Sequence, residues 1–141
     1  MSTAPVSSPM EQNKHLIVRW FEEVWNQGRR EAIHELMDPS CVLHDGPIII
    51  KGPAEFDGLY DTLRASFSDF RITPDVVVAE NDLVCLRWTC TCRHTASEKS
   101  VTITGISVVR VRDGRFVEGW QNWDSAPIAE LAPEFRIASP L

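Results

Sequence analysis

The chain lacks the clustered positive charge through which nucleic acids and anionic membranes are held. Its 14 lysines and arginines stand against 20 acids, for a formal net charge of −6, and Arg29-Arg30 is the one adjacent basic pair. Neither a duplex nor an anionic bilayer is an expected partner. No run of roughly 18 apolar residues occurs, so no helix is expected to span a membrane. A Gly-rich phosphate loop, an HExxH or His-x-His pair and a G-x-S-x-G elbow are all missing. Their absence argues against nucleotide, zinc and serine-nucleophile chemistry, and no metal site is expected. Cysteine is sparse and matches no zinc spacing. Cys90 and Cys92 would share a strand face but stand roughly 6–7 Å apart, too far for a relaxed disulfide. With Cys41 and Cys85 they are expected as small apolar core residues in a reducing cytosol, which points to a cytoplasmic protein. The opening "MSTAPVSSPM" has no basic residue and no apolar core, so it reads as a polar tail and not as a signal peptide.

What is present suits one domain: 141 residues, 43 % hydrophobic and 24 % charged, a balance that excludes both a disordered chain and a membrane bundle. We expect a tail over 1–10, one domain over 11–132 and a second tail over 133–141. Leu16, Ile17, Trp20, Phe21, Val24 and Trp25 recur at helical spacing from Glu11 to Gln27, and Gly28 supplies a left-handed cap. A short helix is expected from about Arg30 to Met37, stopped by Asp38-Pro39. "CVLHDG" reads as a short strand entering a turn, and "GPAEFDGLYDTLRASF" as a third helix with Pro53 in its first turn. The second half is strand-rich: "DFRITPDVVVAEND", "LVCLRWTCTCRHT", "KSVTITGISVVRVRDG" and "RFVEGWQNWD", with Asp113-Gly114 a hairpin signal. Helices first and sheet second imply an α+β fold, with the helices on one face of a mainly antiparallel sheet. Several strands are apolar on both faces, so a homodimer covering the outer face is expected.

The stretch "EGWQNWDS" draws attention because a strand seldom ends in so many aromatic and polar groups. Strict alternation puts Phe116, Glu118, Trp120, Asn122 and Asp124 on one face. If that face looks toward the helices, rings followed by an amide and an acid make an apolar pocket with a polar end, the make-up of a small-molecule site. Desolvation there would make Asp124 a better base than a solvated carboxylate, or Asp124 simply closes a turn. His44 and His94, each at a strand end, are candidate acid–base partners or exposed histidines. Arg87 interrupts an apolar strand and faces either a pocket or a dimer interface. Trp20, Phe56, Tyr60, Arg87, Trp120 and Asn122 are candidate substrate-binding residues.

The segments "VRWFEEVWNQGRREAIHELMDPSCVLHDG", "NDLVCLRWTCTCRHT" and "VTITGISVVRVRDGRFVEGWQNWD" resemble SnoaL-like polyketide cyclases. The most specific pieces are Val24-Trp25-Asn26-Gln27-Gly28, Arg87-Trp88-Thr89, His94-Thr95, and Asp113-Gly114 with Glu118-x-Trp120-x-x-x-Asp124. The resemblance implies the cone-shaped fold of the nuclear transport factor 2-like superfamily, with N-terminal helices packed in the concave face of a curved, mainly antiparallel sheet, and dimers are common in it. It implies an aldol-type cyclisation or isomerisation of a hydrophobic, polyketide-like carbonyl substrate, with no metal or organic cofactor. The family's last-strand aspartate matches Asp124, and its assisting histidine matches either His94 or His44. The chain departs at Glu130-Leu131-Ala132, where the family often has Gln-Leu-Gly. Because this scaffold carries many reactions, two further readings stand: a non-catalytic binder of hydrophobic small ligands, and an epoxide-hydrolase-like hydrolase using Arg87 and Asp124.

Overall fold

A computed structural model describes residues 8–131. The expectations for residues 1–7 and 132–141 lie outside the described residues. Helix α1 (Pro9–Arg19) opens on Ser8, whose hydroxyl accepts the Glu11 N–H at 3.2 Å, with Pro9 at the first helical position. The helix therefore starts inside the stretch assigned to a tail. It runs on as a π-helix over Trp20–Asn26, where one α-helix was expected. Its wider turns bury Trp20, Phe21, Val24 and Trp25 together. Gly28, at φ +68°, then reverses the chain.

Helix α2 (Glu31–Leu36) leads into β1 (Met37–Asp45), which forms a hairpin with β2 (Ile48–Lys51). β2 was not foreseen: three isoleucines between Pro47 and a helix-opening Gly-Pro leave little strand signal. β1 starts earlier than expected, passing Pro39 at an irregularity in its pairing, where proline is tolerated. Helix α3 (Gly52–Ser66) precedes four long strands: β3 (Phe67–Glu80), β4 (Leu83–His94), β5 (Ser100–Arg112) and β6 (Arg115–Trp123). A short α4 (Ala126–Leu131) follows.

The sheet order is β2-β1-β6-β5-β4-β3, antiparallel except for the parallel β1–β6 pair. α1, α3 and the π-helix lie against this unclosed sheet, and the core between them holds Ile17, Val24, Ile33, Leu36, Phe67 and Leu86. The π-helix is tied down by polar contacts. The Asn26 amide behaves like a strand backbone: Nδ2 donates to the Ile72 carbonyl at 2.9 Å and Oδ1 accepts the Ile72 N–H at 2.6 Å. Two carbonyls at the end of the π-helix find side-chain donors, Val24 O from the Tyr60 hydroxyl at 2.9 Å and Trp25 O from Arg64 at 3.0 Å.

One irregularity decides what faces inward. Arg112 pairs with Arg115 and Val111 with Phe116, but Arg110 pairs with Glu118. Val117 is the extra residue, a β-bulge. Beyond it the alternation inverts, so Gly119, Gln121 and Trp123 share the inward face with Phe116. Glu118, Trp120 and Asn122 turn outward.

Candidate functional site

A cavity of about 240 Å³ opens between the helices and the concave face of the sheet. Trp20, Phe21, Trp25, Phe56, Leu59 and Leu63 supply its helical wall. Trp20 meets the Phe56 and Phe116 rings edge-on, at centroid separations of 5.0 and 5.8 Å. The opposite end is polar and is built by three strands. β1 brings Asp45, β5 brings Ser107, and β6 brings Gln121 and Trp123. Asp45 and Gln121 are register partners across the parallel pair, so their side chains emerge side by side. No lysine or arginine is among the lining residues.

Hydrogen bonds orient this end. The buried Trp88 indole can only donate, and it donates to Ser107 Oγ at 3.1 Å. Ser107 passes its own O–H to Gln121 Oε1 at 3.2 Å. The Gln121 NH2 is thereby left as a donor with no protein partner among the described residues. Gly105 makes room for the Trp88 ring: a Cβ there would come within 2.3 Å of the indole. Trp123 Nε1 donates to Asp45 Oδ1 at 3.2 Å. Burial pushes the Asp45 carboxyl above the ordinary aspartate range, and the Trp123 bond opposes part of that rise. A carboxylate so placed is a competent proton acceptor beside an amide donor. Among the described residues no group of three or more His, Cys, Asp or Glu is arranged to hold a metal ion.

Several expected site residues stand elsewhere. Asp124 is exposed, and its Oδ1 accepts the Ala126 N–H at 3.2 Å, closing the turn into α4. It follows Trp123 out of the sheet and does not line the cavity. Asn122 is exposed on the outer face because the bulge turned it there. His94 is buried at the far end of β4 against Phe67, at 5.3 Å, with Nδ1 2.8 Å from Ser97 Oγ, away from the cavity. Tyr60 spends its hydroxyl on Val24 and does not reach the cavity. Arg87 lies on the outer face, paired with Asp75 at 2.6 Å. Trp20 and Phe56 are on the cavity wall. His44 and Trp120 border the cavity, but their rings stack at 5.7 Å on the side opposite Leu43 and Gly119. His44 Nε2 lies 3.1 Å from Glu118 Oε2, and Arg110 covers the Trp120 ring at 6.0 Å.

Asp45, Ser107, Gln121 and Trp123 escaped the sequence reading. The Asp45-Gly46 pair looks like a turn and nothing more. A signal was present: Cys41 and Leu43 alternate with Asp45, which extends an apolar face by one acid.

A family model described as SnoaL-like polyketide cyclase matches residues 15–130. IdmH from Streptomyces antibioticus, provisionally described as a polyketide cyclase, is 26 % identical with a TM-score of 0.76, over 85 % of this chain and 98 % of that one. AclR from Streptomyces galilaeus, provisionally a hydroxylase, is 22 % identical with a TM-score of 0.79, over 89 % and 98 %. A provisional SnoaL-like polyketide cyclase from Jannaschia is 21 % identical with a TM-score of 0.75, over 98 % and 100 %. These establish the expected α+β cone fold. No curated protein matches the chain significantly.

Proposed function

The chain belongs to the SnoaL-like polyketide cyclase family, and from that premise we propose that its cavity binds a hydrophobic carbonyl compound on which Asp45 performs acid–base chemistry. The observation that carries the proposal is the Asp45 carboxylate at the polar end of an apolar cavity, with its basicity raised by burial. Asp45 would take a proton from the carbon next to a carbonyl. The C–H electron pair would move into an enolate, whose oxygen accepts a hydrogen bond from the Gln121 NH2. In a ring closure the enolate carbon forms a bond to a second carbonyl carbon, and the resulting alkoxide takes the proton back from Asp45. In an isomerisation the proton returns to another carbon. Every proton handled in this scheme resides on the chain or the substrate, so no cofactor is called for. This reading transfers to Asp45 the role that family resemblance gave to Asp124.

The experiment is solvent deuterium exchange at C1 of 2-tetralone, followed by NMR. Wild-type protein is expected to accelerate exchange, and Asp45→Asn to lose about 10²–10⁴-fold of that acceleration with unchanged circular dichroism. Undiminished exchange in Asp45→Asn removes Asp45 from the chemistry. A binding-only reading is favoured by one observation: neither Asp124 nor His94 enters the cavity. Ketone binding without exchange in the wild type would establish it. The hydrolase reading has less support: Asp124 lines neither pocket, and Arg87 borders a second pocket shared with Asp45 and Gln121 but is paired with Asp75.

A second copy of the chain is the proposed cover for the outer face. Val76, Val78 and Ile106 are about half exposed there, at 54, 54 and 47 %. The neighbouring Arg87 and Asp75 neutralise each other. Such a face meets its own copy around a two-fold axis without opposing net charge.

A further inference from the structure

We infer that the cavity selects an uncharged carbonyl compound of one or two fused rings and rejects carboxylates. The inference deepens the proposed function and rests on its assignment of the cavity as the substrate site. The first observation is electrostatic. Among the lining residues, Asp45 is the one side chain able to carry charge into the cavity, since the His44 ring is stacked on the other face. Arg87 borders a second pocket that Asp45 and Gln121 also line, but its charge is committed to Asp75 at 2.6 Å, and Arg110 is committed to Asp82 at 3.0 Å. A ligand carboxylate would meet the Asp45 carboxylate with no unpaired countercharge, and two such groups in one site cannot both stay ionised without cost. A neutral carbonyl meets no such penalty and finds the amide donor of Gln121, whose direction the Trp88–Ser107 relay holds.

The second observation is size. A dry apolar cavity of about 150 Å³ is filled by benzene. By proportion, the 240 Å³ found here takes about ten ring atoms, a fused pair, with a short carbonyl arm reaching the polar end. This apolar part alone lies below the roughly 300–1,000 Å³ usual for drug-sized ligands; a second pocket of about 390 Å³ adjoins its polar end at Asp45, Gln121 and Trp123. The walls are aromatic: Trp20 and Trp25 each meet the Phe56 ring edge to face, at 5.0 and 6.2 Å, and present ring surface suited to a flat, apolar ligand. Leu43 already fills the floor over Gly119, where even an added Cβ would come within 2.7 Å of it.

The test is titration of the full chain at neutral pH, read by quenching of tryptophan emission. Three probes separate charge from size: 2-acetylnaphthalene, its near-isostere 2-naphthoate, and the three-ring 2-acetylanthracene. The two-ring ketone is expected to bind at least about tenfold more tightly than either of the others. Asp45→Asn is expected to narrow the ketone–carboxylate gap and to leave the two-ring over three-ring preference standing. Equal binding of 2-naphthoate and 2-acetylnaphthalene by the wild type, or an unchanged gap in Asp45→Asn, overturns the charge rule. Tighter binding of 2-acetylanthracene overturns the size rule. Neither outcome bears on proton exchange. Selective ketone binding without exchange would leave this inference standing while removing the proposed chemistry.

Discussion

The indole N–H of Trp123 donates to the carboxylate of Asp45 at 3.2 Å, joining the end of the last strand to the end of the first. The parallel pairing of β1 with β6 makes this meeting, and residues 78 positions apart become neighbours at the polar end of the cavity. Much of the site's behaviour should depend on this bond.

Removing the donor should move the pH profile. Burial holds the Asp45 proton on and the Trp123 bond helps release it. Trp123→Phe deletes that help, so the Asp45 pKa should climb further. Exchange that needs the ionised base rises with pH through this pKa. The rising limb of log kcat/KM should therefore lie at higher pH in the variant. A limb that stays in place would show that Asp45 is not the titrating base.

The same burial should cost stability, with a defined sign. A carboxyl whose folded pKa exceeds its unfolded value keeps its proton longer in the folded state. Stability then falls as pH rises from the ordinary aspartate range through the higher folded value, and the penalty persists above it. Asp45→Asn should melt above the wild type at about pH 7 and lose that advantage at about pH 3, below the unfolded pKa. Thermal denaturation at the two pH values measures this directly.

Asn26 should matter for folding alone. Its amide makes two bonds to the Ile72 backbone and does not line the cavity. At about 1 kcal/mol net for each bond, Asn26→Ala should lose about 2 kcal/mol in urea unfolding. Ketone binding by the folded fraction should be unchanged. A loss of affinity with full stability would place Asn26 in the site after all.

Ile106 tests the outer face. Ile106→Glu puts a charge where we propose that a second copy sits, and sedimentation should find the variant monomeric at concentrations where the wild type is a dimer. Equal sedimentation of the two would move the contact elsewhere or remove it.

Long stretches of this architecture were legible without coordinates. Periodicity of three and four marked the first and third helices, and β-rich runs broken by turn pairs marked the four long strands, because both signals depend on neighbours in sequence. Asp113-Gly114 foretold the β5–β6 turn, where both residues have positive φ, 52° and 76°. Two features had no local signature. The π-helix differs from an α-helix by one residue in the span of its hydrogen bonds and occurs where Tyr60, Arg64 and Ile72 hold its end. β2 is a four-residue strand that exists because β1 pairs with it.

The candidate site shows the boundary most sharply. Residue types suggested an apolar hollow with a polar end only if the face of Trp120, Asn122 and Asp124 looked toward the helices, and Trp20 and Phe56 were expected on its wall. They could not say which face of the last strand looks into it. That choice rests on Val117, an extra residue visible only in the pairing of β6 with β5. By inserting one position into a two-residue repeat, it exchanges Trp120 and Asn122 for Gln121 and Trp123. The acid at the polar end is accordingly Asp45, brought there by a strand pairing across more than seventy residues, while Asp124 is left in solvent to close the turn into α4.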